Sequence, residues 1–242
     1  MLIDVSNSFT KIAVARDGII GKVVRIPTKS LDSPKISRMK ADLAVIASVV
    51  PEANTILAGS LTCPPVWVDH RVSGGVATSY PKPSSIGADR LANAAAAVSL
   101  GRLPAIVVDF GTAVTFDVID ASGCYLGGII APGLPTAASA LHERTALLPL
   151  TGIKEITSGI GKSTGEAIRI GLLLGAVGLV REAVARITRE SFAGRKPTVI
   201  ATGGDADLVG RLAMDAGGKK VFDLVDPVLT LRGLLEIAGK NA

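Results

Sequence analysis

Aromatic residues make up only 3% of these 242 residues, with one Trp and two Tyr. That scarcity removes the stacking platform on which single-stranded nucleic acid is bound. The Lys and Arg residues are scattered rather than gathered in a stripe, so the net charge of +5 does not argue for a nucleic-acid partner. A mildly basic surface suits anionic small molecules equally well. Cysteine is as sparse: Cys63 and Cys124 are too few and too far apart for a disulfide framework or a zinc site, and both read as reduced bystanders. His70 and His142 stand in unrelated contexts, and no Ser/His/Asp or Cys/His arrangement accompanies them, so triad chemistry has no support. Long hydrophobic runs are missing too. The longest, Leu172 to Val180, is about half of a bilayer span, and the opening "MLIDV" has neither a basic region nor a cleavage site. The expectation is a cytoplasmic protein with no membrane segment and no secretory signal.

Apolar residues are plentiful, at 48% against 19% charged, which predicts a packed globular core, as one large α/β domain or two modest ones. Alternation in "MLIDVSNSFTKIAVARDGIIGKVVRIP" predicts two or three short strands, with turns at Ser6 to Ser8 and at Asp17-Gly18. "LAVIASVV", ended by Pro51, and "PPVWVDH" read as further strands, followed by an alanine-rich helix that stops at Gly101. "AIVVDFGTAVTFDVIDASGCYLGGIIAPG" then restarts the meander. Helices follow, notably Thr164 to Thr188, then the strand "TVIATGG", a helix from Asp205, the strand "VFDLV" and a helix from Thr230. Each half thus opens on antiparallel strands and closes on helices and single strands. We therefore expect two similar α/β lobes, residues 1–103 and 104–242.

A closer echo supports duplication. "IDVSNSFTKIAV" and "VDFGTAVTFDVI" share a strand, an Asp (Asp4, Asp109), a small turn residue two positions later, hydroxyls and a return strand. Glycine at a turn lets backbone N–H groups approach a phosphate, hydroxyls add donors, and an Asp holds a cation or its water shell. Either hairpin alone is an ordinary polar turn; the pair, with a third glycine turn "TGGDA" after a strand, points to nucleotide binding. "TSGIGKST" imitates a phosphate-binding P-loop but has Ile156 where that motif needs glycine, and no buried strand leads into it. In "GADR", Asp89 falls in the first turn of the alanine-rich helix, where an acid complements the helix dipole whatever else it does.

Taken in order, "DVSNSFTK", "IGADR", "DFGTAVTFD", "GGIIAPG", "ERTALLP", "IGKSTGEAIRIG" and "ATGGDA" resemble the type III pantothenate kinases, and the matching blocks run nearly the whole chain. The resemblance implies the fold of the actin, sugar kinase and chaperone-ATPase superfamily: two duplicated ribonuclease H-like lobes, each a mixed sheet flanked by helices, with an ATP cleft between them. It implies phosphorylation of pantothenate by ATP with Mg2+, the first step toward coenzyme A. By position, the first phosphate loop covers Asp4, Val5, Ser6, Asn7, Ser8, Phe9, Thr10 and Lys11, with Asp4 near the metal and γ-phosphate. Thr112 becomes a second ATP contact, and Asp109 a ligand of a monovalent cation, K+ or NH4+. Gly87, Ala88, Asp89 and Arg90 fall at the pantothenate site with Asp89 as general base, and Tyr80 and Thr164 match further pantothenate contacts. A homodimer that completes the acceptor pocket is implied as well.

Those roles agree with the chemistry, since phosphoryl transfer is mainly positioning and charge neutralisation and asks little of a base. Arg90 suits the acceptor carboxylate, which a guanidinium fork can bind. One residue departs from the family pattern: Ser6 stands where that pattern has glycine, which would permit φ > 0 or a closer phosphate approach. Ser8 replaces threonine but keeps the hydroxyl. Two other readings are compatible with the same fold: a non-catalytic nucleotide-binding regulator or transcription accessory protein, and a different small-molecule kinase of the same superfamily, against which "IGADR" with Tyr80 argues.

Overall fold

The run Leu2 to Val5 has no polar residue but Asp4 and is buried along its whole length, so it forms a central strand, β1 (Leu2–Val5). The computed structural model describes residues 1–31, 33–214 and 220–241. Packing divides the chain into two units: Met1–Leu103 with Ile119–Gly127 and Val228–Ala242, and Pro104–Val118 with Gly128–Pro227.

In the first stretch β1 is followed by β2 (Phe9–Ala13), β3 (Ala15–Arg16), β4 (Ile19–Ile20), β5 (Val24–Pro27), α1 (Ser33–Ser37), β6 (Ala44–Ser48), α2 (Pro51–Ser60), β7 (Pro65–Trp67) and α3 (Ala88–Ser99). The sheet order is β5-β2-β1-β6-β7. β1 runs antiparallel to β2 and β2 to β5, whereas β6 is parallel to β1 and β7 to β6. The core lies where Ile3, Ile12 and Ile46 from three adjacent strands are fully buried among Leu57, Ala53 and Ile36; each such side chain contributes about 2 kcal/mol of burial. Asp17 (φ 50°) and Gly18 (φ 76°) make the tight turn between β3 and β4, as the Asp-Gly pair predicts.

The second stretch holds β8 (Ala105–Phe110), β9 (Ala113–Ile119), β10 (Tyr125–Pro132), α4 (Leu134–Glu143), α5 (Thr164–Ser191), β11 (Thr198–Gly203), α6 (Ala206–Leu212), β12 (Leu224–Val225) and α7 (Leu229–Asn241). Its sheet order is β10-β9-β8-β11-β12, with β11 parallel to both β8 and β12. Both sheets therefore run third, second, first, fourth, fifth, the pattern of a duplicated fold.

Two elements differ from the sequence expectation. Pro51 ends the strand but also opens α2: the fixed φ of proline and its missing N–H suit the first helical position. "VFDLV" is a strand only over Leu224–Val225; the residue before it, Asp223, is held to β11 by its backbone N–H donating to Val199 O (2.8 Å) and its carboxylate accepting the Val199 N–H (2.9 Å) and the Lys196 ammonium (2.9 Å). The alanine stretch of α3 is explained by α7. Ala92, Ala94, Ala96 and Ala97 are at most 1% exposed, and a methyl group on Gly233 would run into the carbonyl of Ala92. The crossing is closed by Thr230, whose hydroxyl donates to Asn93 Oδ1 (2.9 Å) deep in the same interface.

Candidate active site

Asp4 is the penultimate residue of β1, and its side chain is buried at 3% exposure. The register sets it opposite Lys11 on β2, and Lys11 Nζ stands 3.9 Å from Asp4 Oδ2. A buried carboxylate needs such a countercharge. Between them the chain turns through Ser6, Asn7 and Ser8, closed by the Ser6 N–H donating to Phe9 O (3.1 Å). Asn7, Ser8 and Phe9 are exposed, whereas Val5 and Thr10 are buried. Arg25 on β5, the register neighbour of Lys11, lies over the Phe9 ring at 3.6 Å, a cation–π contact. Ser6 itself keeps φ outside the left-handed region, in which Asp17 and Ala193 are the non-glycine residues found among those described. Its Cβ is therefore no source of backbone strain.

Asp109 is likewise the penultimate residue of its strand, β8. Gly111 closes the turn by donating its N–H to Ala113 O (3.0 Å), and Thr112 is exposed at the tip. The third glycine turn packs on the same strand end. Gly203 (φ 93°) lies so close that a methyl there would meet Phe110 backbone and come within 2.6 Å of Asp109 Oδ1, and Gly204 N–H donates to Phe110 O (2.9 Å). Thr202 pairs in register with Asp109 on the adjacent parallel strand, so both side chains share a face. The Thr202 hydroxyl is 1% exposed and has no hydrogen-bond partner among the described residues.

Gly87 caps α3, and Asp89 Oδ1 folds back to accept the Arg90 N–H (2.8 Å), one of the donors that a helix start leaves unsatisfied. A methyl at position 87 would lie 2.5 Å from that oxygen, so any larger residue there would displace the Asp89 carboxylate from this position. Ala88 and Arg90 are buried, and the Arg90 guanidinium carbon sits 5.8 Å from the centre of the Tyr125 ring. Tyr80 also packs against Tyr125, 6.3 Å between ring centres at 60°. Its loop is zipped to β10 by Ser79 N–H to Tyr125 O (3.2 Å) and Tyr125 N–H to Ala77 O (2.8 Å). Tyr80, Arg90 and the Asp89 turn are thus gathered around Tyr125, a residue that sequence reasoning passed over. Its signal was modest: it is one of two tyrosines, just ahead of a Gly-Gly pair.

Thr164 belongs to the second unit, where it opens α5, exposed. The imitation P-loop before it is a helix cap: Ser163 Oγ accepts the Glu166 N–H (3.3 Å), and Glu166 Oε2 accepts the Lys162 N–H (2.8 Å). No strand leads into it, and residues 151–163 are irregular. Among the described residues no three His, Cys, Asp or Glu side chains assemble into a metal-binding group, and no helix is long and apolar enough to cross a membrane.

Two sheets of one strand order, each opening on a hairpin with an Asp before its turn, define a duplicated α/β protein of the ribonuclease H-like kind. Solved structures share this fold: a protein from Campylobacter jejuni described as a Baf family transcriptional activator (TM-score 0.65, 20% identity, covering 99% of this chain and 98% of that one), and the ethanolamine utilization protein EutJ from Carboxydothermus hydrogenoformans (0.55, 15%, 98% and 88%). At those identities they speak for fold alone. The chain belongs to the type III pantothenate kinase family, whose model matches residues 1–186. Relatives of that name include proteins from Methylacidiphilum infernorum, 41% identical over 97% of this chain and 86% of theirs, and from Akkermansia muciniphila, 41% identical over 100% and 98%.

Proposed function

We propose that this protein transfers the terminal phosphoryl group of ATP to the primary hydroxyl of pantothenate, yielding 4'-phosphopantothenate and ADP at the entry to coenzyme A synthesis. The observation that carries this reading is that the family match over residues 1–186 contains every residue to which the family resemblance gives a role. The lobes are read as residues 1–103 and 104–242.

In this reading Asp4 to Lys11 bind the triphosphate of ATP, with Asn7 and Ser8 reaching it from the exposed tip and Lys11 balancing Asp4; Thr112 is the ATP contact of the second turn. Gly87, Ala88, Arg90, Tyr80 and Thr164 hold pantothenate, Arg90 through the acceptor carboxylate. Asp89 accepts the proton as the hydroxyl oxygen forms its bond to phosphorus and the bond to the ADP oxygen breaks. The demand on that base is small because the transition state is loose. Asp4 and Asp109 are the residues that would hold cations. The buried, unpartnered Thr202 hydroxyl on Asp109's face gives that site a second oxygen donor, which fits K+ or NH4+; Mg2+ takes few protein ligands when it arrives with phosphate oxygens. Bound cations supply neutralisation of the triphosphate charge. A homodimer fits the exposure of Leu147 (91%), Ile160 (78%) and Leu150 (63%), apolar side chains that a second copy would cover.

A coupled ADP-release assay with ATP, Mg2+ and purified protein, run with and without pantothenate, tests the reading. Pantothenate-dependent ADP release is expected. ADP release that ignores pantothenate, or none at all, overturns it.

A further inference from the structure

We infer that two threonines outside the assigned site, Thr28 and Thr136, are positioning residues that strap the two phosphate turns into shape; the inference rests on the reading of those turns as ATP-binding. Thr28 follows directly on β5, which ends in Pro27. Its backbone N–H donates to Ser8 O (3.1 Å) and its hydroxyl to Ser6 O (2.7 Å). Because that hydroxyl spends its proton on Ser6, Thr10, fully buried, donates to it in turn (3.1 Å). The peptide between Ser6 and Asn7 is planar, so drawing the Ser6 carbonyl toward Thr28 aims the Asn7 N–H the opposite way, at the exposed tip where an anion would sit.

The second turn is tied by the same device. β10 ends in Pro132, the next residue, Gly133, donates its N–H to Thr112 O (3.0 Å), and the Thr136 hydroxyl donates to the same oxygen (2.6 Å). Each time, the segment after a proline-ended third strand gives one backbone N–H and one threonine hydroxyl to the carbonyls of the hairpin turn between the first two strands. Neither threonine needs to touch a substrate. Both sheets keep the arrangement although the turns differ in length and composition, which is what a shared positional requirement leaves behind.

The test compares Thr28→Val, Thr136→Val and the rescuing Thr28→Ser and Thr136→Ser with the parent enzyme, measuring kcat and both KM values. Each valine should raise KM for ATP by about threefold to tenfold, the scale of one lost hydrogen bond. KM for pantothenate and kcat should stay within about threefold, and serine should restore the parent values. An unchanged KM for ATP, or equal shifts for both substrates, overturns the inference. Thr136 is exposed, so its variant decides if Thr28→Val does not fold. Asn7→Ala separates the two levels. If it raises KM for ATP while the valine variants do not, the straps fail alone; if none of the three raises it, the phosphate-turn reading fails with them.

Discussion

Asp89→Asn keeps the oxygen that accepts the Arg90 N–H and so preserves the helix start, while it removes the charge that takes up a proton. Turnover should fall by about 10²-fold or more, the scale of general-base loss, with little change in thermal stability; near-parent kcat in a steady-state assay would remove Asp89 from that role. Residue types at this scale were legible wherever a motif named them, and less so where geometry decides. Ser6 looked like a liability because its motif has glycine there, but its backbone conformation is open to any residue, so the serine adds a Cβ without adding strain. Tyr125 had only a faint signal, since its importance lies in packing against both Tyr80 and Arg90, residues far from it in sequence.

Helices and strands were legible to the extent that one period or one breaker controlled them. The alanine run announced α3, but only the partner helix explains why alanine is used: α7 approaches through Gly233 against Ala92. Gly233→Ala puts a methyl group into a backbone carbonyl that cannot rotate away, so it should destabilise the protein by at least about 2 kcal/mol, although alanine is the better helix former. A denaturant midpoint equal to the parent's would show that the crossing has room. At the turn between β7 and α3 a different local device predicts a titration. The Arg71 guanidinium donates to Asp69 Oδ2 (Nε at 3.0 Å), and partial burial opposes the resulting shift. Oδ1 accepts the Arg71 and Val72 N–H groups at 2.7 and 3.0 Å. Together these hold the Asp69 carboxyl at about 2, below its ordinary 3.8. The folded state thus favours the ionised form, and its contribution is present at neutral pH and is lost as pH falls through 3.8 toward 2. It is small, because Asp69 is a third exposed. Carbon NMR should record the low midpoint, and Arg71→Ala should raise it; a midpoint near 3.8 in the parent would contradict the geometry.

At the scale of the whole molecule, duplication was legible because both hairpins kept an Asp and a small turn residue in the same order, and the sheets repeat one strand order. Sequence could not reveal that the two turns are strapped alike, since the threonines stand at different distances from the prolines that precede them. The copies have diverged in the residues that stand beside each Asp. β2 brings Lys11 to within 3.9 Å of Asp4, whereas the return strand β9, "AVTFDVI", carries no basic residue, and the neighbour that register gives Asp109 is a buried threonine hydroxyl. In the proposed reading Asp109, with the Thr202 hydroxyl beside it in register, holds a diffusible K+ or NH4+ at the second turn. Activity should therefore rise several-fold when potassium or ammonium replaces sodium at constant ionic strength. The protein without substrates should also melt at a higher temperature in potassium than in sodium, since a ligand bound by the folded state stabilises it. Salt screening alone cannot distinguish the two ions at equal strength, so identical rates and identical melting points in the two buffers would mean that Asp109 holds no such cation.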